Sequence, residues 1–300
     1  MNRVYLIDSS IYIFRAFYSM PDTLVDKEGN PVNAIYGFTE FLRQVLQKIS
    51  SKNIACAFDE ALTTSFRNEI YPAYKAHRDP APAELKAQMA PCREVAEAFG
   101  IACFSDERYE AVDFIGTLTE HAHARGQQVA IISGDKDLAQ LLHDGDFLWD
   151  YGRNRRFDKE AIREKFGVPP EKMLDFQGLV GDAVDNIPGI RGIGPKSAAA
   201  LLNHFGSLDA LYENLDAVPG VKVRGAAKIA GLLRTQKESA LLSRKLAEVV
   251  RDIPIGDQFD NLKWCGFRPN LQEVMDKMNF GTNLRSKIWS TEQEVLAMNY

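Results

Sequence analysis

VAIISGD, residues 129–135, is a short run of apolar and β-branched residues closed by glycine and aspartate. Such a run reads as a buried strand whose carboxyl end carries Asp135. Working outward, the same signature recurs in VYLID (4–8), which ends at Asp8, and in IACAFD (54–59), which ends at Asp59. IACF (101–104) is a further strand. Helix-like stretches lie between them. Ile35, Phe38, Phe41, Leu42 and Val45 keep helical spacing within residues 34–48, residues 83–99 look helical, and a helix is expected from about Glu110 to Ala124. This βαβ rhythm predicts an α/β fold, a mostly parallel sheet flanked by helices. From about residue 158 the pattern is nearly all helical, with glycine-rich turns. The expected organisation is an α/β core over 1–175 and a smaller helical region over 176–300. No repeat and no low-complexity segment stands out.

The 300 residues suffice for a well-buried core, and 45% of them are hydrophobic. No apolar run approaches the ~20 residues of a membrane span. MNRVYLIDSS is too short an apolar stretch for a secretory signal, so a cytoplasmic protein is expected. Four cysteines without CxxC or Cys/His pairing read as buried free thiols rather than zinc ligands or disulfides. The net charge of −5 argues mildly against nucleic acid when taken alone. Eight of the carboxylates are candidates for metal ions, and setting them aside turns −5 into +3. A basic groove around an acidic pit fits that total.

Asp8, Asp59 and Asp135 all sit at carboxyl ends of predicted parallel strands, the edge at which open α/β sheets bind ligands. Asp137 follows in SGDKD. Glu110 and Asp113, three apart in YEAVD, share one face at a helix start. Any one of these could be a simple helix cap. Together they form a set of repelling acids, costly to bury without a cation. Oxygen-only ligands select Mg²⁺ or Mn²⁺ over zinc, and two such ions ~4 Å apart suit displacement at phosphorus. The five histidines lie apart from these motifs, and no Ser/His/Asp or Cys/His arrangement competes.

Residues 60–82 fit no compact layer. Phe66, Arg67, Tyr71, Tyr74, Lys75, His77 and Arg78 interleave charge and rings ahead of the proline-rich DPAPA. The segment reads either as a solvated loop or as an arch gripping a nucleic-acid strand. In GLVGDAVDNIPGIRGIGPKSAAALL (178–202), Asp182 and Asp185 again stand three apart. A glycine-punctuated turn with Arg191, Gly192, Gly194, Lys196 and Ser197 then opens a helix at about Pro195. Such a turn makes an anion nest, or it is merely a tight helix–helix connection.

LIDSS, AFDE, YEAVD, SGDKDL and GDAVDNIPGIRGIGPKSA resemble, in order, the motifs of the 5′ nuclease family. That family includes flap endonucleases, phage 5′ nucleases and the nuclease segment of bacterial DNA polymerase I. FRNEIYPAYKAHR is similar to the family's arch, and LKWCGFRPNLQEVMDKMNFGTNLRSK to the end of that segment, so the likeness covers roughly residues 3–288. It implies a PIN-like core with an arch over 60–95 and a helix–three-turn–helix over 178–205. It implies hydrolysis of DNA with a 5′ flap, 5′ overhang or junction; a monomer is expected as the default for an enzyme that works in a groove. Asp8, Asp59, Glu110, Asp113, Asp135, Asp137, Asp182 and Asp185 fall on the family's metal carboxylates, expected to hold two Mg²⁺ or Mn²⁺ ions. Arg15, Lys75 and Arg78 fall on positions that contact the scissile phosphate or the 5′ strand. Arg67 and Tyr74, with Arg191, Gly192, Gly194, Lys196 and Ser197, are expected to contact DNA, and the turn to hold a K⁺ ion. The tail SKIWSTEQEVLAMNY favours a stand-alone paralogue over an excised segment.

One departure matters. Bacterial members read YEADD, so Val112 stands where the family has a metal-ligand aspartate. Either the remaining acids hold both ions, or one ion is weakened and the protein recognises flaps without efficient cleavage. A second rival is an RNA-directed PIN-type ribonuclease, which would lack the 178–205 turn.

Overall fold

A computed structural model describes residues 3–60 and 64–298. In chain order the elements are β1 (Arg3–Asp8), α1 (Ser9–Ser19), α2 (Asn33–Lys48), β2 (Asn53–Ala57), α3 (Phe66–Ile70), α4 (Ala83–Ala98), β3 (Ala102–Phe104), α5 (Ala111–Ala124) and β4 (Gln128–Ile132). They continue as β5 (Phe147–Asp150), β6 (Arg155–Phe157), α6 (Lys159–Phe166), α7 (Met173–Val180), α8 (Pro195–Phe205), α9 (Leu208–Glu213), α10 (Ala226–Thr235), α11 (Lys237–Ala247), α12 (Leu271–Lys277) and α13 (Thr282–Ala297). The chain divides into two compact units. One comprises Met1–Leu62, Asp79–Ser133 and Arg251–Tyr300, the other Thr63–Arg78 and Gly134–Val250. Residues 61–63 of the expected arch lie outside the described residues.

The first unit is built on four parallel strands in the order β3-β2-β1-β4. The register pairs Asp8 with Ala57 and Ile7 with Ile132, which aligns the carboxyl ends of β1, β2 and β4. Leu6, Ile7, Ile54, Val129, Ile131 and Ile132 are fully buried, as strands covered on both faces require. On α2 the predicted apolar stripe faces inward, and Phe41 stacks on Tyr12 at 4.0 Å. No side chain of its own caps α2. Gln88 of α4 does so instead, accepting from the Ala34 N–H at 2.8 Å. Trp264 of the C-terminal segment is buried and donates its indole N–H to Phe99 O at 2.6 Å.

The second unit is mainly helical. It also holds an antiparallel hairpin, β5–β6, with Leu148 opposite Phe157 and Asp150 opposite Arg155. Periodicity hid this hairpin because exposed Arg155 and Arg156 break the apolar run, although Arg156 lies 4.5 Å over the Trp149 ring. α7 and α11 approach closely at Gly178, where a Cβ would sit 3.0 Å from Arg244 Cβ. At Gly189, with φ +61°, a Cβ would sit 2.4 Å from Gly181 N, so only glycine lets the chain turn back against the end of α7.

The architecture is α/β as expected: a mostly parallel sheet flanked by helices, followed by helices. Among the described residues no helix is long and apolar enough to cross a membrane. The four thiols are free. Cys56 and Cys92 are buried and Cys103 half-buried, whereas Cys265 is exposed, contrary to the expectation of burial for all four.

Candidate active site

The strand-end acids fall into two groups, one in each unit. In the first unit, Asp8 is the last residue of β1, is buried, and accepts a hydrogen bond from Ser133 Oγ at 2.7 Å. Asp59 lies two residues past the end of β2, and Ser10 Oγ accepts its N–H at 3.0 Å. Its carboxylate in turn accepts the Ala111 N–H at 2.7 Å, at the first residue of α5. Glu110 is the N-cap of α5 and Asp113 its third residue, and the two form a reciprocal capping box, Glu110 N–H to Asp113 Oδ2 measuring 3.1 Å. Three carboxylates thus meet the positive end of one helix, which lowers the cost of holding them together. Glu110 and Asp113 thus do serve as caps of α5. Val112 sits half-buried between them. Arg15 is exposed on α1.

In the second unit, Asp135 stands three residues beyond β4, and its Oδ1 accepts the Asp137 N–H at 2.9 Å. Asp137 opens a short 3₁₀ turn and takes a hydrogen bond from the Gln177 amide. Burial pushes both carboxyls up, Asp137 well above the usual range, and the charge of Asp135 raises Asp137 further. Lys136 pairs with Asp182 and lies 3.5 Å from Asp137. Burial pulls the Lys136 ammonium down, but Asp137, Asp182 and Asp135 outweigh it and leave it above its usual value. Asp182 also accepts the Val184 N–H at 2.8 Å.

Asp185 gathers the basic segment. It pairs with Arg78, accepts from Tyr74 Oη at 3.1 Å and lies 3.7 Å from Lys75 Nζ. The Lys75 N–H donates to Asp185 O at 3.0 Å, and Lys75 adopts φ +54°, a conformation an L residue holds only when pinned. Asn186 Nδ2 donates to Ala73 O at 2.6 Å. Residues 71–78 are therefore stapled to 182–187.

The expected DNA contacts at Arg67 and Tyr74 do not fit this arrangement. Tyr74 packs in a core cluster with Ile187, Leu246 and Ala247, and Arg67 is only 2% exposed. Neither is available to a strand. In the turn, Arg191, Gly192, Gly194 and Lys196 are exposed and Ser197 is half-buried. Gly192 has φ +100° and Gly194 is the N-cap of α8. Sequence reasoning missed Ser10, Ser133 and Gln177, which carry no motif signal, and Lys136, whose place between two acids in DKD was the available cue.

The donor set is all oxygen and therefore suits a hard divalent cation. Among the described residues, no group of three or more His, Cys, Asp or Glu side chains is drawn together tightly enough to hold one by itself. The acids are instead shared among Ser133, Lys136, Lys75, Arg78 and backbone N–H groups. Because Asp135 and Asp137 keep their protons longer when folded, the folded state binds more protons than the unfolded one. Stability in a chelator should then fall as pH rises above the ordinary aspartate value of 3.8. Asp137→Asn is expected to flatten that fall in urea unfolding between about pH 4 and 8.

Residues 3–167 match the family described as 5′-3′ exonuclease, N-terminal resolvase-like domain, and residues 168–270 the 5′-3′ exonuclease, C-terminal SAM fold. The chain belongs to the 5′-3′ exonuclease family. Among individual relatives it is 39% identical to DNA polymerase I of Bacillus caldotenax over 88% of this chain and 30% of that protein. It is 38% identical to DNA polymerase I of Rhizobium leguminosarum over 87% of this chain and 26% of that protein. The chain spans less than a third of the length of these polymerases. Its fold is that of bacteriophage T5 D15 protein co-crystallised with metal ions (TM-score 0.65, 18% identity, 98% of this chain and 99% of the other). The catalytic core of Rad2 in complex with DNA substrate shares it as well (TM-score 0.61, 17% identity, 96% and 92%). The reading of a catalytically weakened binding protein, drawn from Val112, finds no support in these comparisons. Glu110 and Asp113, on either side of Val112, remain buried on the α5 start with Asp59 bound to it.

Proposed function

We propose that the chain is a divalent-metal-dependent 5′ nuclease that hydrolyses DNA phosphodiesters at 5′ ends and flap junctions, in exonuclease and structure-specific endonuclease modes. The observation that carries this reading is a set of all-oxygen acids in each unit, Asp8, Asp59, Glu110 and Asp113 in the first and Asp135, Asp137, Asp182 and Asp185 in the second, where Asp185 also meets Lys75 and Arg78. Asp8, Asp59, Glu110 and Asp113 would hold one Mg²⁺ or Mn²⁺ ion, and Asp135, Asp137, Asp182 and Asp185 a second. Bound there, such ions supply Lewis acidity at the phosphate and lower the pKa of water.

The chain's own residues do the positioning. Lys75 and Arg78 carry charge that now rests on Asp185 and that a phosphate would also draw. Arg15, exposed on α1, would hold the 5′ strand. Residues 176–300 would hold the duplex, with the backbone N–H groups and Lys196 of the 178–205 turn on phosphates and a K⁺ ion in that turn.

The test is cleavage of a labelled 5′-flap substrate under titrated Mg²⁺ and Mn²⁺. Activity that needs the ion and stops with a chelator is expected; metal-independent cleavage, or none at any concentration of either ion, overturns the reading. Arg78→Ala and Lys75→Ala are each expected to lower single-turnover cleavage by roughly 10²-fold, the scale of one missing electrostatic element. Binding measured in Ca²⁺ should weaken far less.

A further inference from the structure

The second unit contains a repeat that the apolar pattern alone did not expose. VPGVKVRGAAKIAGLL (218–233) aligns on IPGIRGIGPKSAAALL (187–202) without a gap, at a constant offset of 31 residues. Pro219 falls on Pro188, Lys222 on Arg191, Gly225 on Gly194 and Leu233 on Leu202. The folded chain repeats as the sequence does. Gly225 is the N-cap of α10, as Gly194 is of α8. Val221, Ile229, Ala230 and Leu233 are buried, as are their counterparts Ile190, Ala198, Ala199 and Leu202.

A duplicated core would by itself be no more than a way to build a helical domain, and it would say nothing about charge. The surface of the second copy goes further. From Ala217 to Lys237 the chain carries five Lys and Arg residues and no Asp or Glu, in a protein whose net charge is −5. Arg234 pairs with Asp216, and Lys237 lies over the Tyr212 ring at 5.2 Å. Lys222, Arg224 and Lys228 are exposed, and among the described residues none of them forms an ion pair. Cations near an acidic surface ordinarily find carboxylates, as Arg244 does with Asp209 and Asp175. Three left without partners beside one turn form a concentrated positive patch.

The two turns are held in one block. Gln236, which ends α10, accepts the Arg191 N–H at 2.9 Å and donates to Arg191 O at 3.1 Å. Leu232 packs so near Gly192 that a Cβ there would lie 2.9 Å from its Cδ1. The positive patch of the second turn is thus fixed relative to the first.

We infer that the second turn is a further binding surface for the sugar-phosphate backbone of DNA, with Lys222, Arg224 and Lys228 as the residues that meet phosphates. It takes the backbone of the same duplex that the first turn holds. The inference rests on the reading of the chain as a DNA nuclease. The chemistry is sequence-independent, since cations on flexible stems neutralise phosphates and read no base edges.

The test is binding of a 5′-flap duplex in Ca²⁺ by fluorescence anisotropy, across a series of salt concentrations. The proteins compared are the full chain, the triple variant Lys222→Ala/Arg224→Ala/Lys228→Ala, and the charge-keeping variant Lys222→Arg/Arg224→Lys/Lys228→Arg. Removing one cation from a phosphate lowers the slope of log K against log salt by about 1, so the triple alanine variant should show a slope smaller by about 2–3. Its Kd should weaken by roughly 10-fold or more at ~0.1 M salt, and the charge-keeping variant should restore both. All three side chains are exposed, so a thermal melt matching the parent chain is expected and separates binding from folding. Slope and Kd equal to those of the parent chain overturn the second surface. If the parent chain itself shows no salt-dependent binding, the nuclease reading fails instead.

Discussion

Asp135→Asn is expected to lower the single-turnover rate of flap cleavage by at least about 10²–10³-fold, with DNA affinity in Ca²⁺ nearly unchanged. The asparagine keeps the size and one acceptor oxygen of the aspartate. The hydrogen bond from the Asp137 N–H, 2.9 Å long, can therefore persist, and the 3₁₀ turn that follows keeps its start. What disappears is a negative charge in a buried place. Burial raises the Asp135 carboxyl, and the charge of Asp185 raises it further. An uncharged residue there suits the protein without a divalent cation and suits it badly with one. The variant should accordingly be as stable as the parent chain in a chelator or more so, yet gain less stability on adding Mg²⁺. Asp8→Asn should act in the same direction on cleavage, because Ser133 Oγ can still donate to the amide oxygen at position 8. Full activity in either variant would remove these acids from the mechanism.

Much of this was legible in the sequence because strands and acids announce themselves together. VYLID, IACAFD and VAIISGD are short, apolar and closed by aspartate, so the parallel sheet and the acids at its carboxyl edge were read at once. The ends of the strands were less legible. β2 stops at Ala57 and β4 at Ile132, leaving Asp59 and Asp135 on the loops that follow. Loop positions such as these are set by hydrogen bonds to Ser10 and from the Asp137 N–H, which no periodicity encodes. The β5–β6 hairpin escaped because its outer strand is RRF, a charged edge whose arginine stacks on rings instead of facing solvent alone. The repeat at 218–233 escaped because only its caps and buried positions are kept, while GIG in one copy is VRG in the other. Arg67 and Tyr74 misled for a different reason. Alternating bases and rings is the composition of a nucleic-acid strap, but it is equally that of a segment folding onto its own protein.

Arg67 puts that last distinction to the test, and Arg67→Ala is expected to cost about 3–5 kcal/mol of folding stability. The guanidinium lies at the end of α11, donating from Nε to Leu246 O at 2.9 Å and from Nη2 to Glu248 O at 2.6 Å. The carbonyl between them, Ala247 O, is taken by Gln140 Nε2 at 3.0 Å. A helix leaves its last carbonyls without partners, and here two long side chains from distant parts of the chain supply them. A cation is the better of the two, since it also meets the negative end of the helix. Alanine would leave two carbonyls unsatisfied, at about 1–3 kcal/mol each, and remove the stem that fills the space beneath them. Lysine offers a single point of donation and should recover less than half the loss. Urea unfolding of the three proteins without DNA measures this directly. Had Arg67 served the DNA strand, the alanine variant would unfold like the parent chain and lose only salt-dependent binding. Loss of stability, with lysine recovering less than half of it, instead identifies Arg67 as the cap of α11.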